Sequence, residues 1–284
     1  NDFSGVIPSQ IGNLTNLKVL NLGKNNFSGE IPDNIDNLMN LEYLYLDHNE
    51  FTGEIPNEIS YLVNLTYLGL RSNLLSGPIP SEIGDLINLE VLYFGFNELS
   101  GEIPESMWNL INIKSLYLGR NNFSGHISNS IGSLESLVGL WLGGNNFSGK
   151  LPDELWELSS LTGLWVESNN FVGSIPASIS NLTQLEELYL KNNQFSGMLT
   201  QEICSLPVIN YLDESYPWEG ELWDYFNIDS NQFCPSYPEC IEEHVGEQDW
   251  SNCENVGCMN ETACNYNPDA NVDDGSCSFV EENY

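Results

Sequence analysis

Aromatic residues at a fixed spacing are the first feature of this 284-residue chain that could do chemistry. Tyr93, Tyr117, Trp141, Trp165 and Tyr189 follow one another at intervals of 24, and Tyr45 lies two intervals ahead of Tyr93. Residues sharing one position of a stacked repeat share one face, so these rings are expected to form a row. Such a row can stack against sugar rings or grip an extended peptide. Tyr67 holds an outward position on the interval between Tyr45 and Tyr93 and joins the set. Arg71 and Arg120 fall close to the row in register and are candidates to meet an anionic group. Gly95, Gly119, Gly139, Gly143 and Gly163 flank the rings and are expected to leave ring faces bare. The candidate ligand-binding set is therefore Tyr45, Tyr67, Arg71, Tyr93, Tyr117, Arg120, Trp141, Trp165 and Tyr189. The ordinary alternative is that aromatics favour strands and shield one another.

Other chemistries find little support. Gly144 to Lys150 spells G-x-x-x-x-G-K, but Leu151 stands where a phosphate-binding loop needs a magnesium-binding Ser or Thr. The same glycines recur in other repeats without the lysine, which marks them as turn residues. His48, His126 and His244 are far apart, and no HExxH, GxSxG or CxxC is present. Acidic pairs such as Asp153 and Glu154 read as solvated charge. No catalytic residue is assigned, and the chain is read as non-enzymatic.

Charge narrows the partners. Asp and Glu number 41 against 7 Lys and Arg, a formal net charge of -34. Phosphate binding needs clustered cations, so nucleic acid is excluded as a partner. No run of 18 apolar residues exists, so no membrane insertion is expected within this chain. Six of the basic residues, Lys18, Lys24, Arg71, Lys114, Arg120 and Lys191, fall at outward strand positions. Glu42, Asp47, Glu90, Glu167, Glu186 and Glu187 balance them there, which leaves one near-neutral face in an acidic body.

The elements that must position these residues follow from the repeat. Asn1, Asn25, Asn49, Asn73, Asn97, Asn121, Asn145, Asn169 and Asn193 recur every 24 residues, and Asn231 follows after 38. Between them runs L-x-x-L-x-L-x-x-N, as in Leu41 to Asn49. Its alternating leucines predict a strand with one buried face, with Leu44 and Leu46 inward and Tyr43, Tyr45 and Asp47 outward. The short polar Asn can satisfy backbone groups where the chain leaves the strand. Phe3, Phe27, Phe51, Phe123, Phe147, Phe171 and Phe195 follow it by two residues and are expected to stack as a spine. The Gly of FSG permits a turn at positive φ, and the Pro of IP fixes the segment beyond.

This LxGxIP form of the unit resembles the plant-type leucine-rich repeat of receptor-like kinase and receptor-like protein ectodomains and of polygalacturonase-inhibiting proteins. The resemblance implies an α/β repeat solenoid, a right-handed horseshoe or superhelix with a parallel concave sheet and an irregular or 3-10 convex side. Residues 1–212 are expected to form the solenoid, read as beginning in mid-repeat with the N-terminal cap absent. Residues 213–254 hold the last coil with an insertion and a Cys-rich cap, and residues 255–284 an acidic Cys-rich tail. CPSYPEC at 234–240 resembles a closing coil. The register sets Cys240 near Cys204 and leaves Cys234 for Cys253, although four cysteines allow three connectivities. The tail resembles Cys-rich repeats of secreted marine bacterial proteins. Asn267, Asp269, Asn271 and Asp273 alternate there as oxygen donors for calcium, the one cofactor considered. A polar turn stapled by Cys258 and Cys277 is the competing reading. Taken together, the expectation is a secreted or cell-surface module binding a protein, peptide or glycan on its concave face. Its rivals are an inhibitor of secreted polysaccharide-degrading enzymes, or a structural adhesion protein with a calcium-binding tail.

Overall fold

The computed structural model describes residues 1–212, 215–218, 221–253 and Ala263. Each 24-residue coil makes three short elements, and stacking the coils makes three continuous layers. The L-x-L segments form strands of three residues whose central leucines, Leu44 through Leu188, are fully buried. Eight such strands, from Val19–Asn21 to Glu187–Tyr189, and the two-residue strand Phe226–Asn227 pair in chain order, and Leu92, Leu116 and Leu140 keep the repeat register. At the last step Leu188 pairs with Phe226, so the extra residues loop out without shifting the sheet.

A second sheet was not foreseen. The NxFSG segments, read from sequence as turns, are strands of two to five residues in a ten-stranded order ending at Gln232–Cys234. Stacked coils bring these extended segments side by side, and their backbone groups pair rather than remain bare. The closing glycines take positive φ between 76° and 96°, where a side chain would strain the turn. The third layer is a series of 3-10 turns, such as Glu105–Asn109 and Asp153–Glu157. Most begin after a proline whose carbonyl accepts the N–H three residues on, as Pro56 does from Ile59 at 3.1 Å. Between the layers, Phe51, Phe123, Phe147, Phe171, Phe195 and Phe233 are buried. Consecutive rings from Phe123 to Phe233 stack at centroid distances of 6.1–6.3 Å. Phe3, on the first coil, is exposed.

The recurring asparagine ties coil to coil. Asn121 donates from Nδ2 to Leu118 of its own coil at 3.1 Å and to Phe94 of the coil before at 3.0 Å. Its Oδ1 accepts the Leu99 N–H at 3.0 Å. Asn49, Asn73, Asn97, Asn145, Asn169, Asn193 and Asn231 repeat the pattern. The residue before each asparagine is left-handed, with Lys24, His48, Ser72, Phe96, Arg120, Ser168, Asn192 and Ser230 at φ 53–57°. That conformation costs a non-glycine residue about 1–2 kcal/mol, which the asparagine bonds offset.

At the far end, Cys204 is bonded to Cys240 and Cys234 to Cys253, which staples the final coil onto the solenoid. The insertion contains an antiparallel hairpin, Ser215–Trp218 with Glu221–Asp224. The calcium candidates Asn267, Asp269, Asn271 and Asp273, with Cys258 and Cys277, lie outside the described residues. Among the described residues no helix is long and apolar enough to cross a membrane.

Asn121→Ala removes three buried bonds and takes the asparagine oxygen from the Leu99 N–H, while the Phe94 and Leu118 carbonyls each keep one bond, from Asn97 and Asn145. It is expected to destabilise the solenoid by about 3 kcal/mol, read as a lower denaturant midpoint with a broader transition. An unchanged midpoint would contradict the ladder's assigned role.

Candidate ligand-binding face

Strand pairing places the predicted aromatics on consecutive rungs of the concave sheet. Tyr93 pairs with Tyr117, Tyr117 with Trp141, Trp141 with Trp165 and Trp165 with Tyr189. The rings contact one another along the whole row. Tyr45 and Tyr67 lie 4.3 Å apart, Tyr67–Tyr93, Tyr93–Tyr117 and Tyr117–Trp141 meet edge to face, and Trp141 and Trp165 stack at 4.5 Å. Rungs about 4.8 Å apart leave no other arrangement for rings of this size.

The expectation of bare ring faces needs correction at one end. Trp165 is 8% exposed and Tyr189 3%. The reason lies in the glycines, which seat the rings instead of isolating them. A Cβ at Gly139 or Gly163 would collide with the indole of Trp141 or Trp165, so each ring lies flat along its own strand. Tyr117 leans over Gly95 in the same way, 2.7 Å from where a Cβ would stand. Trp165 and Tyr189 therefore buttress the row. Tyr45, Tyr67, Tyr93, Tyr117 and Trp141 remain half-exposed and form its accessible part.

The two arginines are organised by a residue the sequence reading overlooked. Phe96 sits at the lip of the sheet with Arg71 Cζ and Arg120 Cζ each 5.0 Å from its ring centroid. Arg71 also lies 5.2 Å from the Tyr117 ring. Cation–π contacts of this kind are worth roughly 0.5–2 kcal/mol and fix where each charge points. The available signal was Phe96's place just before a ladder asparagine, where the other coils carry Lys, His, Ser, Arg, Gly or Asn. An aromatic at left-handed φ is uncommon and draws notice.

Two carboxylates that sequence reading counted as outward charge are tucked in. Asp47 lies over Gly69 and Glu167 over Gly143, again where a Cβ would clash. Burial pushes Asp47 up to about 6, against the pull of the Arg71 N–H, which donates to Oδ1 at 3.0 Å, and of the Arg71 charge. Burial pushes Glu167 up to about 7, opposed by its own backbone N–H and by Arg120. Its Oε2 is buried with no hydrogen-bond partner. Tyr67 is raised as well, by burial first and then by the Asp47 charge. Other charges on this face pair between rungs at the opposite edge, Lys18 with Glu42 at 2.6 Å and Lys114 with Glu90 at 2.7 Å.

Two hollows result. One of 360 Å³ lies among Asn21, Lys24, Tyr45, Asp47, His48, Tyr67, Arg71 and Tyr93. Arg71 divides it from a niche of 40 Å³ formed with Tyr93, Tyr117 and Trp141. Stacking, anion pairing and hydrogen bonding are all on offer along this line. The three histidines lie on different coils, as the sequence spacing implied.

Leucine-rich-repeat family models match residues 1–51 and 15–75, and five further spans from 88–110 to 184–206. The chain belongs to the leucine-rich-repeat proteins. Among solved structures, this repeat protein is similar to the Arabidopsis receptor kinase HAESA, solved in complex with the peptide hormone IDA and the co-receptor SERK1. The two are 35% identical with a TM-score of 0.76, over 87% of this chain and 39% of that one. A TDR receptor is 33% identical with a TM-score of 0.75, over 84% of this chain and 39% of that one. A Leptospira interrogans leucine-rich-repeat protein, LIC12759, is 27% identical with a TM-score of 0.58, over 87% of this chain and 63% of that one. The chain thus spans about two fifths of the receptor structures it resembles. No curated protein matches.

Asp47 and Glu167 hold protons more tightly folded than unfolded. Their contribution to stability is complete below about pH 4 and is lost as pH rises through about 6 and 7. Glu167→Gln is therefore expected to raise the melting temperature at pH 8 and leave it unchanged at pH 4. The gain is on the order of 1–3 kcal/mol, and equal melting at pH 8 would contradict the burial of that carboxylate.

Proposed function

We propose that this leucine-rich-repeat chain is a non-enzymatic extracellular recognition module that holds an extended peptide across its concave face. The observation that carries the reading is the half-exposed row from Tyr67 to Trp141, bordered by Arg71 and Arg120 on Phe96. Aromatic rings give contact area at low entropic cost, and arginine adds directed charge, the two residue types that dominate binding hot spots. A row spaced by consecutive rungs of the sheet suits an extended chain, whose side chains alternate along its length. The hormone-bound receptor structure supports a peptide ligand, since that protein is in complex with a peptide hormone as well as a co-receptor. The two disulfides support an oxidising compartment.

The test is a peptide array read with wild type beside the Tyr117→Ala/Trp141→Ala double variant. Both rings are accessible, and neither belongs to the leucine core. Peptides retained by the wild type are expected to lose at least about tenfold in affinity, or 1.4 kcal/mol, in the double variant. Unchanged affinity, with the variant melting like wild type, would refute the concave-face reading.

A further inference from the structure

The 360 Å³ hollow on the first four rungs differs in chemistry from the rest of the groove. The chain has 7 Lys and Arg and 3 His in all, and Lys24, His48 and Arg71 converge on this one hollow. In a protein of net charge -34 that convergence makes a local site for an anion, which the remaining surface would repel. The other lining groups ask for more than an anion. Asp47 can accept hydrogen bonds, Asn21 can donate and accept, and the Tyr45 and Tyr67 phenols add two hydroxyls beside their rings.

We propose that this hollow is a subsite for an anionic sugar, a uronate unit. A sugar ring carrying a carboxylate matches each feature in turn. Its carboxylate meets Lys24, His48 and Arg71, its hydroxyls donate to Asp47 and exchange hydrogen bonds with Asn21, and its apolar C–H face lies on tyrosine. An acidic side chain of a peptide would meet the same basic groups but fits less well, because it has no apolar ring face to lie on Tyr45 and Tyr67 and no set of hydroxyls to bond Asp47 and Asn21 together. A neutral sugar leaves the three basic groups without a ligand charge. The volume lies within the range of sites for small ligands, at roughly 300–1,000 Å³, and holds one or two rings. The subsite shares Tyr67, Arg71 and Tyr93 with the peptide row and goes beyond it toward the first coils. The two readings fail separately, because the peptide one is tested at Tyr117 and Trp141 and this one at Lys24 and His48.

The experiment is calorimetric titration of the chain with trimers of glucuronate and of galacturonate, each beside its neutral hexose trimer. A hexaglutamate peptide is the competitor. Lys24 and His48 are both left-handed, at φ 55°, and asparagine tolerates that conformation. Lys24→Asn/His48→Asn is therefore the variant that removes charge without straining the turn, and its melting temperature is measured in parallel. Lys150→Asn, on the second sheet's side of its coil, controls for loss of a positive charge. At least one uronate trimer is expected to bind at least tenfold more tightly than its neutral counterpart. Binding should weaken at least tenfold in the double variant, weaken with added salt, and stay unchanged in Lys150→Asn. The proposal is overturned if neither uronate binds at millimolar concentration, if neutral trimers bind equally, or if the double variant binds as well as wild type. Displacement by hexaglutamate at equal concentration would also overturn it, by assigning the hollow to acidic peptide.

Discussion

One side-chain amide per coil holds this molecule in register. Each ladder asparagine spends both faces of its amide on backbone, bonding two carbonyls on adjacent coils and one N–H on the coil before, as Asn121 does. Those backbone groups belong to the bend where the chain leaves the concave strand, and they would otherwise be buried without partners. Because the amide reaches exactly one coil, it sets the spacing between coils as well as the shape of each bend. The left-handed residue before every asparagine is part of the same device, since only that conformation returns the chain to the second sheet. Leucine and phenylalanine fill the space between, but burial alone is indifferent to register.

The aromatic face inherits its order from this ladder. Outward residues at one repeat position stand in a column, and the rungs hold them close enough that aromatic rings have to settle against one another. Glycine then decides how they settle. Where a neighbouring position lacks a Cβ, a ring or a carboxylate folds flat onto the sheet, as Trp141, Trp165, Asp47 and Glu167 do. Flattening has opposite consequences for the two kinds of group. It gives an indole a packed floor, and it takes a carboxylate away from water and raises its affinity for a proton. The strongly acidic chain consequently presents a face whose charge shifts toward positive between about pH 7 and 5, as Glu167 and Asp47 take up protons.

Much of this was legible in the sequence, for a physical reason. A 24-residue period fixes which residues share a column, so the buried leucines, the phenylalanine spine and the aromatic row followed from counting. The neighbourhood of Cys204 and Cys240 followed from the same count. What counting cannot supply is the direction a side chain takes within its column. The glycines beside Trp165 were visible, yet whether they bare a ring or seat it depends on its rotamer. Phe96 was missed because its importance comes from two arginines on different coils meeting one ring. The second sheet was missed because the FSG glycine reads as a turn signal, and here it ends a strand.

We propose the asparagine-ordered concave row, from Tyr67 to Trp141, as the place where this protein meets its ligand. The most direct measurement is a hydrogen-exchange footprint of a peptide selected against the chain from an unbiased display library. Slowed exchange is expected to be confined to residues 67–73, 91–97, 115–121 and 139–141. Protection confined to the 3-10 turns or the disulfide-stapled end, with the concave strands unchanged, would contradict it.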